Sequence, residues 1–231
     1  MFTSYQIAFV RKYCSVMHPL ASALDILQDE QNLYIGYLLS TLVSLQNQLR
    51  TLRPTQKCAT PLVDAVLAGV DKRFSGYFDT TDLIVASVTL PQFKLRWLDD
   101  LGKERARSLL QSQVAALNDS KNEAESQLNH TKQEDDFFCF SVSDNDSSNQ
   151  SSDLDSYLAD TSRELLSLQK YPAVLQLFLQ FNTPLPSSAS VERLFSLGSQ
   201  IYVPRRNKLT DLHFERQLLL RANKLFAAER A

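Results

Sequence analysis

The chain has little of the residues that build most small-molecule and metal sites. Its 231 residues include five glycines, three cysteines and three histidines. Cys14, Cys58 and Cys139 lie far apart and form no CxxC pair, which argues against a disulfide framework or a structural zinc site. The histidines are equally scattered, and no glycine-rich segment matches a phosphate-binding loop. We therefore expect no bound metal, no cofactor and no small-molecule ligand.

Long apolar runs are missing as well. No stretch reaches the roughly 18 apolar residues of a membrane-spanning helix, and the N-terminus lacks the basic and then apolar pattern of a signal peptide. Hydrophobic residues nevertheless make up 44% of the chain, which is enough for a core, and the formal net charge is -2. We predict an intracellular protein without membrane contact, in a compartment that keeps cysteine reduced.

The charge is unevenly distributed. From Arg193 to the C-terminus there are eight Lys and Arg residues against three Asp and Glu residues, whereas residues 133–155 carry acidic residues and no basic ones. A basic C-terminal region is compatible with nucleic-acid contact. A solvated helix surface explains the same residues, so both interpretations stay open.

Almost every periodic segment has the helical period, which predicts a mostly α protein with a bundle-like N-terminal part. The most regular pattern predicts one long helix with a single apolar face, and it falls short of a sustained coiled coil. We favour a hairpin within the chain over a zipper between chains. The residues of this pattern are Ile35, Leu38, Leu42, Leu45, Leu49 and Leu52.

Prolines and capping residues predict where the other helices begin and end. A first helix from Phe2 to Met17 should end at His18–Pro19, because the residue before a proline disfavours the helical region, and a short helix from Leu20 to Gln28 should follow. Further helices are predicted to begin near the caps Thr60, Ser188 and Thr210. The remaining predicted helices are Asp82–Leu90, Lys103–Leu128, Ser156–Leu168 and Pro172–Phe181.

A change in composition divides the chain. Residues 133–155 are acidic, rich in serine and without periodicity, so they cannot bury enough apolar surface to offset chain entropy. We interpret them as a disordered linker between a helical region, residues 1–132, and a C-terminal module, residues 156–231.

The last predicted helix, from Asp211 to about Ala227, is apolar on most of its circumference. One stripe contains Phe214, Leu218 and Leu225, and a second contains Leu212 and Leu219. A helix on the surface of a monomer needs one buried face. We therefore predict that these five residues form a dimer interface.

These residues also carry a resemblance to a known family. The segment Tyr171 to Phe226 resembles the C-terminal dimerisation region of hAT-family transposases and their domesticated relatives. The resemblance is carried by the motif Ala-x-x-Glu-Arg-x-Phe-Ser at residues 189–196, by Gly198, and by Arg-Arg-Asn-Lys-Leu before the leucine-rich helix. Upstream, "HPLASALDILQDE", "GYLLSTL" and "PQFKLRWL" are similar to the helical insertion of vertebrate members.

The resemblance implies a transposase-derived, RNase H-like remnant that forms a homodimer, or a heterodimer with related chains, and it favours a nuclear location. It maps Glu192 onto the third carboxylate of the family's catalytic site. The two aspartates that the family places near strands before the insertion have no counterpart here, so we expect no enzymatic activity from the chain alone. A structural role for Glu192 is the favoured interpretation, and a metal-binding role with aspartates supplied from elsewhere is the alternative. DNA is a second candidate partner, through Arg205, Arg206, Lys208, Arg216 and Arg221.

Overall fold

The computed structural model describes residues 3–29, 34–54, 59–128, 146–202 and 209–223. All regular secondary structure in these ranges is helical, which confirms the prediction of a mostly α protein. Two short 3-10 helices, Ser75–Asp79 and Leu165–Lys170, accompany the α-helices. The α-helices are α1 (Ser4–Leu27), α2 (Tyr37–Leu52), α3 (Thr60–Phe74), α4 (Thr81–Val88), α5 (Asp100–Leu128), α6 (Asp146–Ala159), α7 (Pro172–Phe181), α8 (Ala189–Ile201) and α9 (Asp211–Ala222).

The helices belong to two compact units. The first unit contains residues 1–27 and 33–186, and therefore α1 to α7; the second contains residues 28–32 and 187–231, and therefore α8 and α9. This division differs from the predicted one, which separated residues 1–132 from residues 156–231. The difference arises because α6 and α7 pack against α4 and α5 in the first unit.

Helix α4 is the centre of the first unit. Every residue from Ile84 to Leu90 is buried, because α2, α5 and α7 all pack against this short apolar helix. A helix that is hydrophobic on all sides is stable in water only when neighbours cover it completely. The prediction of a helix at residues 82–90 is confirmed. The buried cluster around α4 also includes Leu39, Leu110, Leu154, Tyr157, Val174 and Leu177.

The regular apolar pattern of α2 is buried within the same unit. Its residues Leu38, Leu42, Leu45 and Leu49 pack with Val16 and Ala23 of α1 and with Val63 and Val70 of α3. The pattern is thus used inside one chain, as the hairpin interpretation expects.

The predicted break at His18–Pro19 is wrong, since α1 continues through Pro19 to Leu27. A proline inside a helix removes one N–H donor and disturbs the preceding turn. Pro19 is buried together with Val16 and Ala23, and these residues face α2. The packing of this face offsets the local cost, so one long helix forms in place of two short ones.

The segment predicted as a linker ends in a helix. Residues 129–145 lie outside the described residues, but α6 begins at Asp146, ahead of the predicted helix start at Ser156. Its residues Leu154 and Tyr157 are buried in the cluster around α4. These two apolar residues in a polar sequence give too weak a periodic signal to predict the helix. Packing against the cluster around α4 stabilises it.

The start of α2 and the end of α4 approach each other very closely at Gly36. A Cβ atom at this position would lie 2.4 Å from the carbonyl oxygen of Ala86. The Gly36 amide donates to Asn182 Oδ1 at 3.0 Å, and the Ser87 hydroxyl donates to the Gly36 carbonyl. The Asn182 amide in turn donates to the Ala86 carbonyl at 3.1 Å and to Thr89 Oγ1 at 3.2 Å. One glycine and one buried asparagine therefore connect α2, α4 and the end of α7.

We predict that Gly36→Ala destabilises the first unit, because the new methyl group would overlap the Ala86 carbonyl. Overpacking of this kind costs about 1–3 kcal/mol of unfolding free energy, which urea denaturation followed by circular dichroism will measure. Gly69→Ala is the matched control. Its Cβ would meet its nearest neighbour at 3.4 Å, on the Arg73 side chain, so the higher helix propensity of alanine should stabilise the chain by roughly 0.5–1 kcal/mol. Equal stability of the two variants would contradict the prediction.

Candidate functional site

The predicted site residues that the structure describes lie on α8 and α9, which form a helical hairpin. Helix α9 begins as predicted at Thr210, whose side-chain oxygen accepts a hydrogen bond from the His213 amide at 3.4 Å. Helix α8 begins after Ser188, which is the predicted capping position, but its side chain makes no capping bond. The Ser188 hydroxyl instead donates to Glu192 Oε1 at 2.6 Å.

The two helices meet around a glycine. Gly198 is buried, and a Cβ atom there would lie 3.2 Å from Cζ of Phe214. The Phe214 ring packs with its plane perpendicular to that of Tyr202, with ring centroids 6.1 Å apart, and Leu218 lies one turn further along the same contact. The absence of a side chain at Gly198 thus allows the aromatic ring to lie directly on α8.

An apolar groove of about 560 Å³ runs between the two helices. Two aromatic side chains border it, Phe195 on α8 and Tyr202 directly after α8. Both stay largely in solvent: Phe195 is 70% exposed and Tyr202 is 64% exposed. The groove is lined by Leu194, Phe195, Gly198, Ser199, Tyr202, Leu209, Asp211, Phe214 and Leu218.

Helix α9 keeps most of its apolar surface exposed. None of its residues is buried, and Leu212, Leu219 and Leu220 are 52%, 59% and 62% exposed. Two of the predicted interface residues, Phe214 and Leu218, are half-buried against α8, while Leu212 and Leu219 face away from it. The fifth predicted residue, Leu225, lies outside the described residues.

The structure does not bring the candidate DNA contacts that it describes onto one surface. Arg216 and Arg221 are both exposed on α9, but five positions on a helix place two side chains about 140° apart. Arg205, Arg206 and Lys208 lie outside the described residues. The two described candidates, Arg216 and Arg221, therefore give no geometric support to a DNA-binding surface.

Glu192 is exposed in the first turn of α8 and is bonded to the Ser188 hydroxyl. Its neighbour Arg193 donates to the main-chain oxygen of Gln28 at 2.8 Å. Among the described residues, no three His, Cys, Asp or Glu side chains are placed to share a metal ion. A carboxylate at this position is favoured by the helix dipole, which accounts for Glu192 in structural terms.

A cavity of about 680 Å³ lies between α1, α2 and Trp97 in the first unit. Neutral side chains line most of it, including Ser44, Asn47 and Gln48, and His18 is its one titratable group. The Trp97 indole N–H is buried and has no hydrogen-bond partner among the described atoms. Among the described residues that line this cavity, no acid and base pair converges.

Sequence reasoning missed a buried lysine in the first unit. Lys94 has a positive φ of 48°, and its ammonium group donates to the carbonyls of Tyr157, at 2.7 Å, and of Asp160. It also lies 4.6 Å from the centroid of the Tyr157 ring. These contacts put a positive charge at the C-terminal end of α6, where the helix dipole favours it. The segment "QFKLRW" gives no sign that its lysine is buried.

The groups around Lys94 are bonded to the backbone of the fold. The Tyr157 hydroxyl donates to the Val88 carbonyl at 2.9 Å, while the Asp160 carboxylate accepts from the Ser162 amide at 2.8 Å and from the Tyr171 hydroxyl at 3.1 Å. The Ser162 bond is the main cause that lowers the pKa of Asp160. Burial lowers the pKa of Lys94 and raises the pKa of Tyr157. This cluster fastens α6 to the core, and its chemistry is structural.

The cluster predicts how stability depends on pH. Between the lowered pKa of Lys94 and the usual lysine value of 10.5, the unfolded chain binds more protons than the folded one, so the unfolding free energy rises with pH. Above the usual tyrosine value of 10.0, the folded state keeps the Tyr157 proton that the unfolded state loses, so stability falls. We expect Lys94→Met to remove the rise, as urea denaturation at a series of pH values will show. Tyr157→Phe is the control: it should keep the rise and reduce the fall, part of which comes from Tyr171, whose pKa is raised by burial and by its bond to Asp160.

The described helices include none that is long and apolar enough to cross a membrane. Comparisons with protein-family models, with curated proteins and with solved structures find no match. The resemblance to hAT-family transposases therefore stays a prediction from the residues, and the geometry of the α8–α9 hairpin carries the argument on function.

Proposed function

We propose that the chain is a protein-interaction module that dimerises through the α8–α9 hairpin. The observation that carries the proposal is the face of α9 that points away from α8, where Leu212, Leu219 and Leu220 are each more than half exposed. Burying a leucine side chain fully is worth about 1.5–3 kcal/mol relative to leaving it in water. Three such residues on one short helix give a substantial driving force for association.

The exposed leucines of α9 and the groove between α8 and α9 form one continuous surface. At about 100° per residue, Leu219 lies between Leu212 and the groove-lining side of α9, where Asp211 and Leu218 are found. Contiguous exposed apolar patches of more than a few hundred Å² mark interaction sites on soluble proteins. Aromatic residues are enriched at such sites, and Phe195 provides one at the border of the groove.

A second copy of the chain suits this surface because α9 is complementary to itself. In an antiparallel pair centred between Glu215 and Arg216, the two-fold axis sets Leu212 opposite the second copy's Leu219. A two-fold interface uses the same patch on both partners, so the Leu212–Leu219 contact occurs twice. The arrangement buries these leucines in both copies, as an isologous interface requires.

The resemblance to hAT-family transposases supports the same proposal, since the matching segment corresponds to the dimerisation region of that family. It also supports a related chain as an alternative partner, and a nuclear location. The alternative function is a DNA-transposition fragment in which Glu192 completes a metal site. Two-metal catalysis needs several converging carboxylates, and Glu192 is bonded to Ser188 at the start of α8. The geometry therefore favours dimerisation over catalysis by this chain alone.

Leu219→Asp should weaken dimerisation by at least tenfold, because it places a charge in the centre of the proposed interface. Sedimentation equilibrium across a concentration series will give the dissociation constant. Leu101→Asp is the matched control, since Leu101 is 77% exposed on α5 in the first unit and the change adds the same charge. The proposal would be overturned if Leu219→Asp associated as strongly as the unmodified chain, whether or not Leu101→Asp lost association.

A further inference from the structure

The N-terminal half of α1 is exposed along its whole length. Every residue from 4 to 14 is exposed, although this stretch carries large apolar side chains. Tyr5 is 82% exposed and Phe9 is 57% exposed. The others that stand in solvent are Ile7, Val10 and Tyr13. A contiguous apolar surface of this kind on a regular helix marks an interaction site.

Three of these residues form one stripe. Tyr5, Phe9 and Tyr13 are four positions apart and so lie on the same side of the helix. At about 100° per residue, Val16 and Ala23 lie on this same side, and both are buried against α2 and α3. The exposed stripe is therefore the continuation of a face that α1 already uses for packing inside the first unit.

Two basic residues occur on this part of α1. Arg11 lies about 200° from Phe9 around the helix, on the opposite side from the stripe. Lys12 is exposed and lies about 60° from Phe9, at the edge of the stripe, where a long side chain can keep its ammonium group in water while its stem packs. No acidic residue occurs between Thr3 and Leu24. Arg11 therefore keeps contact with water when the stripe is covered, and no carboxylate is desolvated.

We infer that this stripe pairs with the same stripe of a second copy, in an antiparallel arrangement with its two-fold axis at Phe9. The stripe reads the same in both directions, because Tyr5 and Tyr13 stand four positions before and after Phe9. An isologous pair would place the two Phe9 rings together and each Tyr5 opposite the second copy's Tyr13. A surface that is symmetric about its own centre meets the condition of two-fold association. This interface is separate from the one proposed for α9.

The length of the segment allows such a pair, and its area limits the strength of the pair. Residues 4–14 span about 16 Å of helix, so two segments can overlap while each copy's bundle stays at its own end of the pair. From the exposed fractions of Tyr5, Phe9 and Tyr13 and the area of an aromatic side chain, the stripe exposes roughly 400 Å² per copy, or about 800 Å² in a pair. This is below the roughly 1,200 Å² of stable interfaces and in the range of transient ones, so the pairing should be weak and reversible.

With two separate two-fold interfaces, the chain should associate beyond a dimer. Four samples test this by sedimentation equilibrium: the unmodified chain, Phe9→Asp, Leu219→Asp and the double variant. We expect a mass above that of a dimer for the unmodified chain, a dimer for each single variant, and a monomer for the double variant. Ile7→Asp is the matched control, because Ile7 is exposed on the same helix but lies about 160° away from the stripe; it should behave as the unmodified chain.

The outcomes separate the two interfaces. If Leu219→Asp has the same mass as the double variant, no second copy covers the α1 stripe; this overturns the inference and leaves the α9 proposal intact. If Phe9→Asp has the same mass as the double variant, the proposal for α9 fails and the α1 inference stands. If Ile7→Asp lowers the mass as much as Phe9→Asp, the added charge explains the effect and the inference is also overturned.

Cross-linking tests the position of the two-fold axis. In a chain with Cys14, Cys58 and Cys139 replaced by Ser, Phe9→Cys should form a disulfide between copies on mild oxidation, because the two positions meet at the axis. Ile7→Cys, on the far side of the helix, should form at least tenfold less. Equal cross-linking at both positions would show that the helices collide without a fixed register, which contradicts the pairing.

Discussion

The close contact between Gly36 and Ala86 is the constraint on which the first unit depends. It brings the start of α2 onto α4, and Asn182 connects both to the end of α7. Since α4 is buried on every side, its backbone carbonyls near the C-terminus have no water to bond to. The asparagine amide and the Ser87 hydroxyl satisfy part of this polar backbone from within. A larger residue at position 36 would separate the helices and leave these groups without partners.

The second unit, in contrast to the first, leaves much of its apolar surface exposed. In the α8–α9 hairpin, Phe214 packs closely on Gly198, while Leu212 and Leu219 stay in solvent. A pair of helices buries too little surface to be stable alone. Association with a second copy would provide the missing cover and would make folding and dimerisation of this hairpin interdependent. The same reasoning applies to the exposed half of α1, where one face is buried for part of its length and then continues into water.

Particular elements show how far sequence reasoning reached. The bounds of α7 and the cap at Thr210 follow from local signals, a proline at the first turn and a hydroxyl that accepts an amide hydrogen. The break at Pro19 does not match the structure, and the predicted linker does not match it at residues 146–155, where α6 is found; residues 133–145 lie outside the described residues. In both places, contacts distant in sequence stabilise a helix that local preferences disfavour. The burial of Lys94 also depends on contacts distant in sequence, since the carbonyls that it binds belong to Tyr157 and Asp160.

The sequence by itself determined the helical class, the apolar faces of α2 and α9, and the residues of the C-terminal motif, because helical periodicity and capping depend on neighbours within one or two turns. The tertiary structure decided which faces are covered inside the chain. It buried the α2 pattern, placed Phe214 and Leu218 against α8, and left Leu212, Leu219 and the Tyr5–Tyr13 stripe exposed. Periodicity shows that a face is apolar, but only the arrangement of the other helices decides whether the chain itself covers that face or leaves it for a partner.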